Sequence, residues 1–176
     1  MIIDNRHTAL IVKHKSTLEL AIEAVKTRKN WSPFKDSPST KIHGSEKPIV
    51  GKSAFEDHLN KPFNIDLPGI IEWVGEEVSP FTQKPIGITY PLCDSDSIIN
   101  AAKKTMKEWA KTSPELRTAI CLEIAERMYE RNFEMAHSVM HVAGQSYTQA
   151  FSGSGPNALD RGIEALAYAA IAMDNV

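Results

Sequence analysis

Cysteine is scarce in this chain, with two residues among 176. Cys93 and Cys121 lack the spacing of metal ligands, and the default environment for such a chain is a reducing cytoplasm. Long hydrophobic runs are also missing, since none approaches the roughly 20 residues that a membrane-spanning helix needs. Near the N-terminus, Asp4 and Arg6 precede only a short apolar run, 8–12, which is too short for the core of a secretory signal. We therefore expect a cytoplasmic protein with no membrane partner.

An excess of charge of one sign is missing too. Basic and acidic residues number 20 and 22, which leaves a formal net charge of −2 at pH 7. This balance gives no electrostatic reason to expect nucleic acid as a partner. Hydrophobic residues make up 42% of the chain and charged residues 24%, as is usual for globular proteins. The length is sufficient for one ordinary domain.

Helical periodicity, in contrast, is strong from residue 94 onward. Asp94 or Ser95 can cap a first helix, and Ser113 with Pro114 forms a cap and first-turn pair for a second. The apolar face predicted for the first helix is Ile98, Ala101, Ala102, Thr105 and Trp109. The buried stripe predicted for the second is Leu116, Ile120, Cys121, Ile124 and Met128.

Two further helices complete this half of the chain. Asn132 begins a third helix, which Gly144 ends. Its predicted inward residues are Phe133, Ala136, Val139 and Met140. The segment SGSG at 152–155 is a predicted break, and Pro156 opens a last helix. One face of that helix carries Leu159, Ile163, Leu166, Ala170 and Met173. These spacings together predict a helix bundle.

The N-terminal third has one helical pattern and one stretch without a period. The helical pattern covers 16–29, with Ser16 and Glu19 as a capping-box pair. The following stretch, 30–52, is rich in Pro, Ser and Lys, and we expect it to cross a surface or to wrap a neighbouring subunit.

A short helix and a strand pair are predicted next. Ser53 and Glu56 form a second capping pair, for a helix ending near Asn60. In 71–90, apolar residues including Trp73 precede a turn-prone segment, and Ile86, Ile88 and Tyr90 then alternate with smaller residues, which predicts strand, loop, strand. A Pro and a Gly within the second strand favour an edge position.

The fold class predicted is mainly α, with about five or six helices and a short two-stranded β element at residues 71–90. We divide the chain into an N-terminal helix and irregular arm, 1–52, and a helical segment with the β-hairpin, 53–176. The helical pattern reaches Met173 and the sequence stops at Val176 with no glycine cap and no basic last turn. This ending is untypical of a natural domain boundary and predicts an artificial or frame-shifted end.

The helical half resembles the N-terminal helices of the aldehyde dehydrogenase superfamily. In the family, W-x4-P-x2-R is followed by L-x2-A, then a Glu, then a Gly-Lys or Gly-Gln pair. The residues here that follow this order and spacing are Trp109, Pro114, Arg117, Leu122, Ala125, Glu134, Gly144, Gln145, Gln149 and Ala150. The flanking text FEDHLNKPFNIDLPG, EWVGEEVSPF, GITYP, MHVAGQSY and NALDRGIEALAYAA looks like the phenylacetic-acid-degradation branch, often called PaaN. The resemblance extends from about Ser53 to Met173.

What this resemblance implies is partly negative. In the family, the nucleophilic Cys, the general-base Glu, the Asn of the oxyanion site and the residues that bind NAD or NADP all lie downstream of these helices. The resemblance therefore implies no catalytic, cofactor-binding or metal-binding residue here. The parent chemistry would be oxidation of a ring-opened, CoA-linked aldehyde through a thiohemiacetal and hydride transfer. Exposed apolar helix faces, with Trp109, Ile163 and Leu166 as candidates, predict a homo-oligomer.

Neither cysteine has the setting of a nucleophile. Cys121 lies between Ile120 and Leu122 on a helix, where a thiol behaves as a small hydrophobe. Cys93 precedes a helix N-terminus, which favours a thiolate, but Asp94 opposes it. We interpret Cys121 as structural and Cys93 as an ordinary surface or turn cysteine.

The segment from Gly153 to Ala158 matches G-x-G-x-x-[GA], the dinucleotide fingerprint. A helix and not a strand precedes it, and Pro156 removes an amide that would face the pyrophosphate. A helix-breaking loop is the better interpretation.

Three groups of polar residues are weaker candidates for a functional site. Glu134, His137 and His141 share a helix face and could bind a metal, but a half-exposed polar face is favoured because the HExxH order is absent. We interpret Glu76 and Glu77 as solvent-facing. An ordinary solvated surface also explains the mixed charges Glu115, Glu123, Glu126, Arg127, Glu130 and Arg131.

Two functional hypotheses follow. In the first, the chain is the front part of an NAD(P)-dependent oxidoreductase and is inactive alone. In the second, it is a stand-alone helical interaction module that has kept the packing of an enzyme ancestor.

Overall fold

The computed structural model describes residues 5–174, so Asp4 and Val176 lie outside the described part. The helices are α1 (Asn5–Thr27), α2 (Thr40–His43), α3 (Glu46–Glu56), α4 (Ser95–Ala110), α5 (Pro114–Glu130), α6 (Asn132–Ala143), α7 (Tyr147–Ser152) and α8 (Ala158–Asp174). A π-helical turn, Gly153–Asn157, joins α7 to α8. The antiparallel strands β1 (Ile70–Val74) and β2 (Tyr90–Cys93) form a two-stranded sheet. The mainly α class is confirmed, with more helices than the five or six expected.

Helices α1, α5 and α8 pack against one another as a three-helix unit. Their shared core consists of Ala21, Leu122, Ile163 and Ala167, all buried. α1 begins at Asn5, so Ser16 lies inside the helix and the capping pair predicted there is wrong. The helix starts earlier because of tertiary packing, since residues before Ser16 already pack on α5. His14 of α1, for example, is only 5% exposed.

The inward face of α5 differs from the predicted stripe. Its buried residues are Leu116, Thr118, Ala119, Leu122 and Ala125. Ile124 and Met128, which were predicted to be inward, are exposed, and Cys121 is half-buried. Leu122 on this face belongs to the core shared with α1 and α8, so packing against these two helices decides which side of α5 is buried. The start of α5 is as predicted, because Ser113 Oγ accepts a hydrogen bond from the N–H of Leu116 at 3.3 Å.

Helix α3 corrects the expectation of a loop-like stretch up to residue 52. It begins at Glu46 and ends at Glu56, so Ser53 lies in its last turns and opens nothing. The helix lies against α6, and a Cβ on Gly51 would come within 2.9 Å of the Glu134 backbone nitrogen. This glycine lets the two backbones meet, a contact that hydrophobic periodicity does not reveal.

The remainder of the arm crosses the surface of its own chain. Ser32 Oγ donates to Asp160 at 2.8 Å, and the Lys35 N–H donates to Tyr129 Oη at 2.9 Å. Phe34 packs on the Tyr129 ring with centroids 4.6 Å apart. These contacts fit the first of the two expectations for the stretch.

The hairpin is present, but its second strand lies later than predicted. β2 begins at Tyr90, whereas Ile86 and Ile88 are buried beside Phe55 in a separate cluster. Only isolated bridges, such as Val78 with Pro85, occur in the segment that was expected to be a strand. The alternation of apolar residues there reflects burial against α3 and not strand pairing.

Helix α4 is capped as predicted, with the Asp94 carboxylate accepting from the N–H of Ser97 at 2.8 Å. Its expected inward face is wrong for the described chain, since α4 has no buried residue. Trp109 is 41% exposed and Met106 60% exposed. The helix leaves the body of the molecule after the hairpin, and its apolar stripe has no packing surface within residues 5–174.

Helices α6 and α8 follow the sequence closely. α6 ends at Ala143, and its C-cap is Gly144, as expected, in the left-handed conformation with φ +72°. Phe133 and Ala136 are buried, with Val139 and Met140 packed beside them. In α8, Leu159, Ile163 and Ala170 are buried as expected.

Candidate functional site

The glycine-rich segment is a kink within helical structure. Gly155 has φ −104° and ψ −106°, and the turn around it continues from α7 directly into α8. Pro156 has no N–H, and the carbonyl of Phe151 instead accepts a hydrogen bond from Asn132 Nδ2 at 3.1 Å. Gly155 and Pro156 are buried, so their backbones do not face an open anion site. The segment does not have the strand-loop-helix geometry of a dinucleotide cradle.

Glu134, His137 and His141 do not converge on one point. The Glu134 carboxylate accepts two hydrogen bonds from Arg131, at 2.9 and 2.5 Å, and lies 3.0 Å from His58 Nε2. Arg131, then His58, lowers the pKa of Glu134 against the effect of burial. The carboxylate therefore joins α6 to the segment that follows α3.

The two histidines instead border a cavity of about 360 Å³ between α3, α6 and the turn at 79–84. Phe55 stacks on His141 at a centroid distance of 5.0 Å and on His137 at 6.2 Å. Ser79, which is 2% exposed, places Oγ 2.8 Å from His141 Nδ1. Burial lowers the pKa of both imidazoles. The spacing of the histidines was visible in the sequence, but the partners from α3 and the turn were not.

Among residues 5–174, the cysteines and the acidic pair belong to no group of three or more His, Cys, Asp or Glu side chains that could hold a metal ion. Cys121 is half-buried within α5, and Cys93 is half-buried at the end of β2 with Sγ 3.9 Å from the Pro91 carbonyl. Glu76 is exposed, and Glu77 is half-buried near Tyr90, whose pKa is raised by burial and then by the Glu77 charge.

The charged face of α5 contains a cluster that sequence reasoning missed. Glu123 binds Lys13 Nζ at 2.7 Å, His14 Nε2 at 2.8 Å and Arg127 Nε at 2.8 Å. Its side chain is 16% exposed, so the prediction that Glu123 is ordinarily solvated is wrong. Lys13, Arg127 and His14, in that order, lower its pKa to about 2.

Carboxylates and an imidazole also give this cluster the composition of a cation site. The ligand atoms of His14, Glu123 and Glu126 lie within 4.8 Å of one another. However, the Lys13 ammonium is 2.7 Å from both carboxylates and supplies the positive charge. The cluster is an ion-pair network that joins α1 to α5, 109 residues apart for His14 and Glu123.

An apolar surface on the hairpin and α4 remains open in the described part of the chain. We call it the α4 face and define it by Ile98, Ile99, Met106 and Trp109, each at least 41% exposed. Every residue of β1 is exposed as well. Of the residues expected to drive association, Trp109 is exposed, but Ile163 is 3% exposed and belongs to the three-helix core. None of the described helices combines the length and the apolar character that crossing a membrane requires.

Comparison with known proteins agrees with this geometry. The sequence profile of the aldehyde dehydrogenase family matches residues 73–176, more than half of the chain. The crystal structure of an NAD-dependent aldehyde dehydrogenase from Burkholderia multivorans is similar over 96% of this chain, with a TM-score of 0.90 and 39% sequence identity. The chain spans 30% of the length of that protein. No curated protein matches the chain at a significant level.

Proposed function

The chain belongs to the aldehyde dehydrogenase family, and from this we propose that it forms the N-terminal helical scaffold of an enzyme that oxidises an aldehyde in phenylacetate catabolism. The substrate is a ring-opened, CoA-linked aldehyde, and NAD or NADP accepts the hydride outside these residues. The segment alone oxidises no aldehyde. The fold matches an N-terminal segment of an aldehyde dehydrogenase, and the stretches quoted for the PaaN-type branch support the substrate class.

The position of the G-x-G-x-x-A segment carries the proposal of inactivity. Aldehyde oxidation by this family requires an accessible thiolate, donors for the developing oxyanion and a dinucleotide cradle. Gly155 and Pro156 are buried in a helical kink, where no phosphate can approach their backbone. Cys121 is half-buried within α5, next to Leu122 of the α1–α5–α8 core. The described residues thus supply packing surfaces, and we assign no catalytic group among them.

A chimera tests the scaffold role. In the Burkholderia multivorans enzyme, the matching segment is replaced by this chain, and reduction of NAD by aldehydes is followed by absorbance. We expect the chimera to be active, because the two segments share one fold, and the purified chain to be inactive. Turnover by the chain alone, or a chimera that is folded by circular dichroism but inactive, would refute the proposal.

Disruption of the gene tests the metabolic assignment. We expect the source organism to lose growth on phenylacetate as carbon source and to keep growth on succinate. Normal growth on phenylacetate would remove the assignment to this branch without affecting membership of the family. The proposed cytoplasmic location is supported by the two free thiols. Cell fractionation checks it, and recovery of the protein outside the cytosol would contradict it.

A second candidate function is an interaction module that self-associates through the α4 face. The observation that favours it is the unpaired stripe on α4, because apolar patches larger than a few hundred Å² usually bind a partner. A second copy is the occupant we propose for the isolated chain. The opposite side of α4 carries Lys103, Lys104 and Lys107, so the exposed apolar residues are confined to one side of the helix.

Light scattering of matched variants tests self-association. We expect a dimer or larger species for the unmodified chain and a monomer for Trp109→Lys, because a charge placed in the stripe opposes burial. Lys104→Ala, on the opposite side of the same helix, is the control and should leave the assembly unchanged. A monodisperse monomer of the unmodified chain at high concentration would refute this function.

A further inference from the structure

The cavity between α3, α6 and the turn at 79–84 contains two imidazoles held by different contacts. His137 and His141 lie one helical turn apart on α6. The Phe55 ring from α3 is nearly parallel to His141, with an interplanar angle of 7°, and is tilted 20° from His137. One aromatic side chain of α3 therefore packs on both imidazole rings of α6.

Ser79 constrains the protonation state of His141. Its Oγ accepts hydrogen bonds from the backbone N–H groups of Phe81 and Thr82, both at 3.3 Å. The hydroxyl proton is then directed at His141 Nδ1, 2.8 Å away. This bond needs a neutral ring with an unprotonated Nδ1. A protonated ring would point an N–H at an oxygen whose acceptor capacity is already used, in a place where Ser79 is buried.

The charged groups around the cavity do not favour an added proton. Lys52 and Glu56 face it from α3 and pair with each other at 3.7 Å. Lys84 faces it from the turn and adds an unbalanced positive charge. From α7, the Tyr147 ring packs on His137 at 4.7 Å and brings no negative charge to it at neutral pH. The lining is thus positive overall before either histidine is protonated.

The direction of the pKa changes agrees with the contacts. Burial lowers the pKa of His141, and burial, His141 and Lys52 lower that of His137, with Glu56 acting in the opposite direction. A histidine whose pKa falls on folding stabilises the folded state at pH values above its unfolded pKa. That stability is lost as the pH falls through the lower folded pKa.

We propose that this cavity is a proton-sensitive latch, which holds α3 and the turn at 79–84 against α6 while His137 and His141 are neutral. Protonation breaks the Ser79 bond, adds a charge to a cavity whose lining is already positive, and releases both segments together. The three-helix core of α1, α5 and α8 has no part in this contact and keeps its packing.

Hydrogen exchange resolved by peptide tests the latch. Protection is compared at about pH 7 and about pH 5, on either side of the ordinary histidine pKa, after correction for the intrinsic exchange rates. We expect a loss of protection at the lower pH in peptides covering 46–56 and 79–86, and none in peptides from α8. A uniform loss across all helices would instead indicate global acid unfolding and would overturn the proposal.

Variants separate the latch from a general effect of pH. His141→Asn keeps an acceptor near the position of Nδ1 but cannot be protonated, so the loss of protection at low pH should be smaller. His7→Gln, on the exposed N-terminal turns of α1, is the matched control and should behave as the unmodified chain. The same pH response in His141→Asn and in the unmodified chain would overturn the proposal.

A measurement on the imidazole guards against a variant that does not fold. In NMR titrations of the unmodified chain we expect the pKa of His141 to lie below its ordinary range. Ser79→Ala should raise this pKa, because it removes the hydroxyl that donates to the neutral ring and opposes a proton on Nδ1. An unchanged His141 titration in folded Ser79→Ala would refute the role of Ser79 and, with it, the latch.

Discussion

Gly51→Ala tests the close packing of α3 on α6. An ideal Cβ at this position lies 2.9 Å from the Glu134 nitrogen and from the Phe133 carbonyl carbon, and closer still to Phe133 Cβ. Two of these atoms are backbone atoms of α6 and the third is a Cβ, so they cannot move aside as the end of a flexible side chain can. Overpacking of this kind costs about 1–3 kcal/mol, whereas alanine in place of glycine within a helix gains about 0.5–1 kcal/mol. We expect a net destabilisation of about 1–2 kcal/mol.

Gly162→Ala is the matched control. Gly162 lies within α8, is exposed, and has no atom within 4 Å of an ideal Cβ. The helix gain then acts alone, and we expect stabilisation by about 0.5–1 kcal/mol. Urea unfolding followed by circular dichroism gives both midpoints, and the two variants should move in opposite directions. If Gly51→Ala moves upward as Gly162→Ala does, the contact between α3 and α6 is not as described.

The remaining predictions concern the ion cluster and the kink. Lys13→Met removes the largest cause of the low pKa of Glu123. The depressed pKa contributes folding stability that is present above about pH 4.5 and is lost toward pH 2, and part of this contribution should disappear in the variant. Denaturation measured at a series of pH values should then show a weaker loss of stability in acid. Asn132→Ala should cost about 1–3 kcal/mol in urea unfolding, because the buried Phe151 carbonyl loses its donor. Gly155→Ala places a Cβ against the Asn132 side chain, so the double variant should be less destabilised than the sum of the two single variants, and strict additivity would contradict this.

The caps of several helices could be predicted from the sequence. Asp94 and Ser113 cap α4 and α5, and Gly144 ends α6, at the residues predicted. Each of these signals depends on neighbours within a few positions, which a sequence displays directly.

Features that depend on segments distant in sequence, such as which face of a helix is buried, could not be predicted. The buried side of α5 is set by packing against α1 and α8, and it carries Leu122 where Ile124 and Met128 had been expected to be inward. Residues 46–52 of α3 were taken for a loop because they carry no apolar stripe, and the close approach of Gly51 to α6 leaves no periodic signal in the sequence. The α4 stripe was identified correctly as apolar, yet within residues 5–174 it has no partner surface.

The candidate sites show the same division. The glycine segment was predicted to be a helix-breaking loop, and the structure instead has a kinked π-helical turn that joins α7 to α8. The departure from a regular α-helix was visible in the sequence, because Pro156 lacks an N–H whatever surrounds it. The partners of His141 and Glu123 could not be predicted, since Ser79 and His14 lie 62 and 109 residues away in sequence.

Cofactor binding tests most directly the claim that this chain is scaffold without chemistry. Isothermal titration of NAD, and separately NADP, into the purified chain should give no saturable heat, with the complete Burkholderia multivorans enzyme and NAD as the positive control. Saturable binding of either dinucleotide to the chain would contradict the claim, because it would require a cradle among residues that we have assigned to packing.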